Sequence, residues 1–445
     1  MSVLVAVSAS VVAPVAVAAP PTGSSSQSAT GASKFAGPFN FNVGTVPWLV
    51  DTGDINRDGR PDIVTANAMA ATLGGFSVPG FPGVSVLLNT TANGGGEPTF
   101  APASGHNAGL APTGVDVVDL DSDGAPEILA ANIADVGSNG ISVLHNTTPA
   151  GAAVASFADP INFPTGALPT LVRAADVNSD GKLDMVSADF GFPATPGISV
   201  LLNTTAAGGP LSFSAPTYIL GGLAAEGLTV GDINNDGRID LLAANTGSSN
   251  VSVLVNTTPP GATAPSFNLT EEWVITTTGI ELADVNSDGK PDLISARTTG
   301  GISVRLNNTA PGAPVAEFGA DAGADLIGEV TQARNTMGLV CEGVVAADFD
   351  GDGVLDIAAN NDFPLPGYDV AVFGNRTAKG ASQLSLVGPE GYRASDWLIG
   401  TNSIVSADFN GDGRPDLVTG NVPSLSVGNV AVVPGGVSVL INTYP

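Results

Sequence analysis

A nine-residue pattern, D-x-[DN]-x-D-G-x-x-[DE], occurs seven times in this chain. The copies are DINRDGRPD (54–62), DLDSDGAPE (119–127), DVNSDGKLD (176–184), DINNDGRID (232–240), DVNSDGKPD (284–292), DFDGDGVLD (348–356) and DFNGDGRPD (408–416). Their starts are separated by 65, 57, 56, 52, 64 and 60 residues. One such stretch says little, but seven in one frame impose a repeat architecture. More than the loop recurs. An aliphatic residue stands four before each first Asp: Val50, Val115, Val172, Leu228, Ile280, Val344 and Ile404. The residue just before that Asp is small in all copies but one, the exception being Val118. A short apolar run follows each loop, then, after a variable gap, "SVLLNTT" (85–91) or a relative of it. A Phe often comes after the next polar turn: Phe100, Phe157, Phe213, Phe267 and Phe318.

Each unit therefore reads as strand A, acidic loop, strand B, variable loop, strand C, turn and strand D. The runs are short, β-branched and bounded by Gly, Pro, Asn and Thr. Four strands per unit, repeated seven times, predict an all-β chain folded as a seven-bladed β-propeller with four-stranded blades. A linear solenoid would need shorter repeats, and units of this size could not bury enough to fold alone. Small residues before the loop suit a strand A crowded against a central channel. The last unit ends on a C strand, "GGVSVLINTYP", while "PFNFNVG" (38–44) precedes the first unit without a unit of its own. Residues 38–44 are expected to complete the seventh blade and remove the free edge of an open ring.

The loops and the apolar strand with "SVLLN" behind them resemble the FG-GAP/VCBS repeat, as found in the integrin α-subunit propeller and in a group of fungal seven-bladed lectins. The resemblance covers about residues 38–445. The Phe-Gly and Gly-Ala-Pro cassettes are not legible, so the bacterial-type variant is the nearer pattern. The resemblance implies loops that bind Ca²⁺ for structure, with partners meeting the opposite face.

The loop chemistry points the same way. Ca²⁺ takes 6–8 oxygens at ~2.3–2.6 Å. Positions 1, 3, 5 and 9 offer side-chain oxygens, and position 7 a backbone carbonyl. The expected ligands are Asp54, Asn56, Asp58, Arg60 and Asp62 in the first loop, and Asp119, Asp121, Asp123, Ala125 and Glu127 in the second. The third and fourth offer Asp176, Asn178, Asp180, Lys182 and Asp184, then Asp232, Asn234, Asp236, Arg238 and Asp240. The fifth offers Asp284, Asn286, Asp288, Lys290 and Asp292; the sixth, Asp348, Asp350, Asp352, Val354 and Asp356. The seventh offers Asp408, Asn410, Asp412, Arg414 and Asp416. Gly59 and its six counterparts permit the sharp bend. An EF-hand would need Glu at position 12, where Thr65, Ala130, Ser187, Ala243, Ser295, Ala359 and Thr419 stand. Glu127 is one methylene longer than Asp, which predicts a looser second site. Transition metals prefer His or Cys, and the chain has only two His. Up to seven structural Ca²⁺ are expected.

Composition narrows the rest. Lys+Arg number 14 against 42 Asp+Glu, giving a net charge of −28, so nucleic acid is not an expected partner. The loops hold 23 of those 42 acids. Cys341 is the only cysteine, so no intrachain disulfide forms, and calcium would replace that staple. Residues 1–19 are read as a secretory signal peptide ending at an A-x-A site, 20–37 as a Ser/Gly-rich linker and 38–445 as the propeller. No segment suits a membrane span in the mature chain.

The A–B and C–D turns of a blade share one face, so the acidic loops lie opposite the B–C and D–A loops. That second face carries the variable stretches 68–83, 189–197, 361–368 and 320–338. Phe76, Phe81, Phe190, Phe192, Phe363 and Tyr368 could stack on sugars there, or pack as small loop cores. His106 is placed in a D–A loop. His145 and Cys341 read as structural, and no catalytic residue is expected. The N-x-T sequons at Asn89, Asn146, Asn203, Asn256, Asn307 and Asn375 come from the repeat and read as turns after strand C; others stand at Asn250 and Asn268. The expectation is a secreted or cell-surface monomer that binds a glycan or extracellular protein. The alternative is a carbohydrate-active lyase or hydrolase working on the variable face.

Overall fold

A computed structural model describes residues 34–44, 46–68, 83–133, 140–191, 197–275, 277–298, 301–321, 343–365, 368–394, 401–421 and 435–444. The regular elements among them are all strands, β1 to β27. Lys34–Pro445 forms one compact unit. Its strands make seven antiparallel sheets, one per repeat, and the chain is a seven-bladed β-propeller. The first blade is β2 (Pro47–Gly53), β3 (Asp62–Asn67), β4 (Gly83–Leu87) and β5 (Ser104–His106) in that order. The innermost strands of successive blades are β2, β6 (Pro112–Val118), β10 (Pro169–Ala175), β14 (Ala225–Gly231), β18 (Thr277–Ala283), β21 (Val344–Ala347) and β25 (Thr401–Ala407). Each packs against the next, and β25 packs against β2, which closes the ring.

The core is not one mass but a series of apolar layers between blades. Among the described residues seven clusters of buried side chains occur, each drawn from two adjacent blades. Strand B is therefore covered on both faces and reads as a continuous run, such as DIVTAN, rather than an alternation. The aliphatics that precede the loops sit in these layers: Val50, Val115, Val172 and Leu228 are at most 2% exposed. The crowding of strand A is visible at Gly53, where an added Cβ would lie 2.4 Å from a Val117 methyl.

Strand D does not begin at the Phe that follows the C–D turn in the first three blades. Phe100, Phe157, Phe213 and Phe318 form isolated bridges to Asn89, Asn146, Asn203 and Asn307. The D strands of the first three blades begin later, at Ser104, Ile161 and Thr217. Pro102, Pro160 and Pro216 lie between and supply no N–H to the ladder. The fourth blade has no proline there, and its strand runs unbroken over Phe267–Val274. In the fifth blade three strands are described, and residues 322–342 lie outside the described residues.

Closure uses the N-terminal strand, displaced from its expected bounds. β1 is Phe35–Asn42 rather than 38–44, and pairs with β27 (Gly436–Asn442) through Phe39↔Val439 and Phe41↔Val437. The strand thus takes residues assigned to the linker. Phe35 explains the shift: it is 3% exposed, with its ring edge-on to Phe349 at 5.6 Å and to Tyr392 at 5.0 Å. That aromatic anchor sits between the sixth and seventh blades. Deleting 34–42 should expose β27 as an open edge and remove Phe35, Phe39 and Phe41 from two apolar layers. A lower Tm by calorimetry and self-association on size exclusion are expected; an unchanged monomer would contradict this closure.

Candidate metal centre

Each acidic loop is built by its own carboxylates. Asp54 at position 1 accepts the Asp58 N–H at 2.9 Å and the Gly59 N–H at 2.8 Å. The same pair of bonds recurs in all seven loops. Position 5 accepts the N–H of position 7, as in Asp236 with Arg238 at 2.9 Å. The turn needs a left-handed residue at position 6, where φ lies between +82° and +90° in every copy. Nothing lies within 4 Å of a Cβ built on Gly237, so the requirement is conformational rather than one of space. Position 4 is also left-handed: Gly351 and Gly411 adopt this readily, whereas Arg57, Ser122, Ser179, Asn235 and Ser287 do so at a cost.

Position 9 joins the loop to the blade. Asp62 is fully buried; one oxygen accepts the Ile55 N–H at 2.9 Å and the other the Asn89 N–H at 2.7 Å. Burial pushes Asp62, Glu127, Asp240 and Asp416 up to about 7, against the pull of those backbone bonds. Asp184, Asp292 and Asp356 are raised to about 6 by the same cause.

The loops also reach sideways. The residue at position 2 is always apolar and buried: Ile55, Leu120, Val177, Ile233, Val285, Phe349 and Phe409. Its carbonyl accepts a bond from the Asn that follows strand C in the next blade. Asn146 Nδ2 donates to Ile55 O at 2.9 Å and to its own loop at Pro126 O, 3.0 Å. Asn89, Asn203, Asn256, Asn307, Asn375 and Asn442 repeat this, so the staple also crosses the seam between the seventh and first blades. The six repeat-derived sequons are thus buried structural amides whose N–H groups are spent. Asn250 is also buried, and Asn268 is exposed. Asn56, Asn178, Asn234 and Asn286 at position 3 add a second lateral bond, to carbonyls of Ala152, Ala262, Ala313 and Ala381 in the following blade's C–D turn. These bonds put the acidic loops and the C–D turns on one face, as expected.

Whether a cation fits is tested by the donors left over. Asn56 Oδ1 is buried with no hydrogen-bond partner. Donor oxygens of Asp119, Asp121 and Glu127 lie within 4.8 Å of one another, as do those of Asp348, Asp350 and Asp356. These are positions 1, 3 and 9 of two loops, and such clusters can hold a metal. Some charge is met internally: Arg60, Arg238 and Arg414 pair with Asp58, Asp236 and Asp412, and Arg376 pairs with Asp350 and Asp352.

Other candidates resolve differently. His106 belongs to β5 rather than a D–A loop; it bonds Ser104 Oγ at 2.9 Å and lies edge-on to Phe157. His145 lies just past β8 (Ile141–Leu144), and its Nδ1 is 3.0 Å from Glu127 Oε1, against the acidic loop. Phe190 is half-buried. Cys341, Phe76, Phe81 and Phe192 lie outside the described residues, as do the side chains of Phe363 and Tyr368.

Four charged side chains stand on the channel-side strands outside the expected site: Asp51, Asp116, Arg173 and Glu281. Asp51 Oδ2 accepts the Val117 N–H and Asp116 Oδ2 the Ala174 N–H, both at 2.9 Å; Glu281 Oε2 accepts the Ala346 N–H at 3.1 Å. Each carboxylate satisfies an edge N–H of the next blade. Burial and the Asp116 charge push Asp51 up to about 7; burial does the same to Glu281. Arg173, 3.5 Å from Asp116, is the cation that offsets them. Their signal was a charge three residues before the loop's first Asp.

Two expectations follow for unfolding measurements. Asn256→Ala should cost about 2–4 kcal/mol, because two buried carbonyls lose their donor. Gly237→Ala should cost about 1–2 kcal/mol for the left-handed turn, whereas Ser179→Gly should be neutral or stabilising. An Asn256→Ala protein as stable as the parent would refute the staple.

Family models match much of the ring. The FG-GAP-like repeat matches residues 119–187, 232–295 and 284–359, and the FG-GAP repeat matches 400–433. No curated protein matches the chain. Among solved structures, BBS1N in complex with ARL6DN is similar at 9% identity and a TM-score of 0.52, covering 92% of this chain and 97% of that one. A Photorhabdus luminescens Tc holotoxin pore aligns at 16% identity and a TM-score of 0.37, covering 86% of this chain and 18% of that one. The first likeness speaks to the fold alone. With these matched repeats set in a ring of seven blades, the chain belongs to the FG-GAP repeat family.

Proposed function

We propose that the protein is a secreted, calcium-stiffened binding module, meeting a glycan or an extracellular protein with the face opposite its acidic loops. The family and the propeller suggest a binding or adhesion module. What supports a contact face is its apolar surface. Trp48 at the start of β2 and Leu110, Leu220 and Leu223 in D–A connections are 43%, 57%, 75% and 44% exposed. Large apolar groups held on a ring of packed blades are suited to recognition. A glycan array, with pull-down of extracellular proteins, should give a ligand whose binding falls in Trp48→Ala or Leu220→Ser with Tm unchanged. Full binding by both variants would refute this face.

The calcium part of the reading is supported by the loop oxygens. Ca²⁺ at ten times Kd would stabilise each site by about 1.4 kcal/mol. Over seven loops, a chelator should lower Tm by about 10 °C or more. An unchanged melting temperature in chelator would refute it. The position-9 carboxylates add a pH signature. Their folded pKa is raised, so their contribution to metal-free stability is present below about pH 4 and is lost as pH rises through 6–7. Bound calcium needs them ionised, so its apparent affinity should fall as pH drops through the same range. Calorimetry at pH 5 and pH 8, with and without calcium, should show opposite slopes.

A further inference from the structure

The second loop departs from the other six in its donors. Its ninth residue is Glu127 in place of Asp. The residue after its strand C is His145, where the other units carry Leu88, Leu202, Val255, Leu306, Gly374 and Ile441. It has no basic residue of its own, and among the described residues no Lys or Arg pairs with its four carboxylates. The sixth loop also has four carboxylates, but Arg376 pairs with two of them.

These substitutions meet in space. Glu127 keeps the bond from the Leu120 N–H at 2.9 Å through Oε2. Its longer side chain carries Oε1 to 3.5 Å from the Asn146 N–H, where Asp62 holds the equivalent bond at 2.7 Å. That oxygen instead lies 3.0 Å from His145 Nδ1, and Asp121 Oδ2 is 3.7 Å from the same nitrogen. Donor atoms of Asp121, Asp123 and His145 lie within 4.8 Å of one another, as do those of Asp119, Asp121 and Glu127. Asp121 is common to both groups. Ca²⁺ takes oxygen ligands, whereas an imidazole among carboxylates suits zinc, nickel, copper and iron. His145 is half-buried at the rim, which leaves a route for a hydrated ion.

We propose that the second loop is a mixed nitrogen–oxygen site selective for a first-row transition dication such as zinc. Its core ligands are His145 Nδ1, Asp121 and Glu127, flanked by Asp119 and Asp123. This rests on the reading that the acidic loops hold cations, but assigns this one a different metal.

The test is a cobalt titration of the full chain in excess calcium, followed by visible d–d absorption, with zinc as competitor. One cobalt per chain, displaced by zinc, is expected. His145→Leu installs the residue of the first, third and fifth units and so preserves the fold. It should weaken cobalt at least about tenfold, while calcium still raises Tm as in the parent. Glu127→Asp, which restores the common loop, should weaken cobalt too. No calcium-resistant cobalt binding, or equal binding by His145→Leu, would overturn the proposal. A chain that ignores calcium yet binds one cobalt through His145 would sink the calcium reading and leave this one standing.

Discussion

The buried carboxylate at position 9 of each loop ties three parts of a blade together. Its two oxygens accept N–H bonds from the apolar residue at position 2 and from the Asn after strand C. That same Asn sends its side-chain amide into the preceding blade's loop. The carboxylate thus fixes the loop, the loop fixes the turn, and the amide couples neighbours. The apolar layers supply most of the burial but are non-directional. The polar bonds set the spacing and register at which the layers meet.

This arrangement explains why the ring must close. Every apolar layer is shared by two blades, so an open ring would leave two half-layers in water. The seam between seventh and first blades is built like the others: Val50, Ile63 and Leu87 pack against Phe409, Val418 and Val439. Asn89 then donates to Phe409 O across it. β1 adds the missing strand from the far end of the sequence.

The acidic loops carry a tension that a bound cation would relieve. Their carboxylates are oriented by backbone N–H groups, and in the second and sixth loops the oxygens of positions 1, 3 and 9 lie within 4.8 Å of one another. Burial disfavours charge at position 9, while ligation would require it. Arginines at position 7 relieve part of this in three loops. In the second loop no Lys or Arg does so among the described residues, and His145 Nδ1 lies 3.0 Å from Glu127 Oε1.

Much of this was legible in the residues. The motif spacing gave the blade count, the short β-branched runs gave the strands, and Gly at position 6 marked the left-handed turn. The apolar residue at position 2 was present in every copy, yet its role depends on a neighbour that sequence adjacency does not reveal. The D strands of the first three blades start beyond the Phe because the prolines that follow it supply no N–H donor to the ladder. The N-terminal strand began earlier than expected because Phe35 finds its aromatic partners at Phe349 and Tyr392, far along the chain. By itself the sequence determined periodicity, turn chemistry and the donor inventory, since these are local properties of backbone and side chain. Only the tertiary structure decided which loop faces which turn, that the sequon amides are buried staples, that Asp51, Asp116 and Glu281 close the channel-side edges, and that His145 stands over Glu127. Those are contacts between blades, and they exist only once the ring has brought distant residues together.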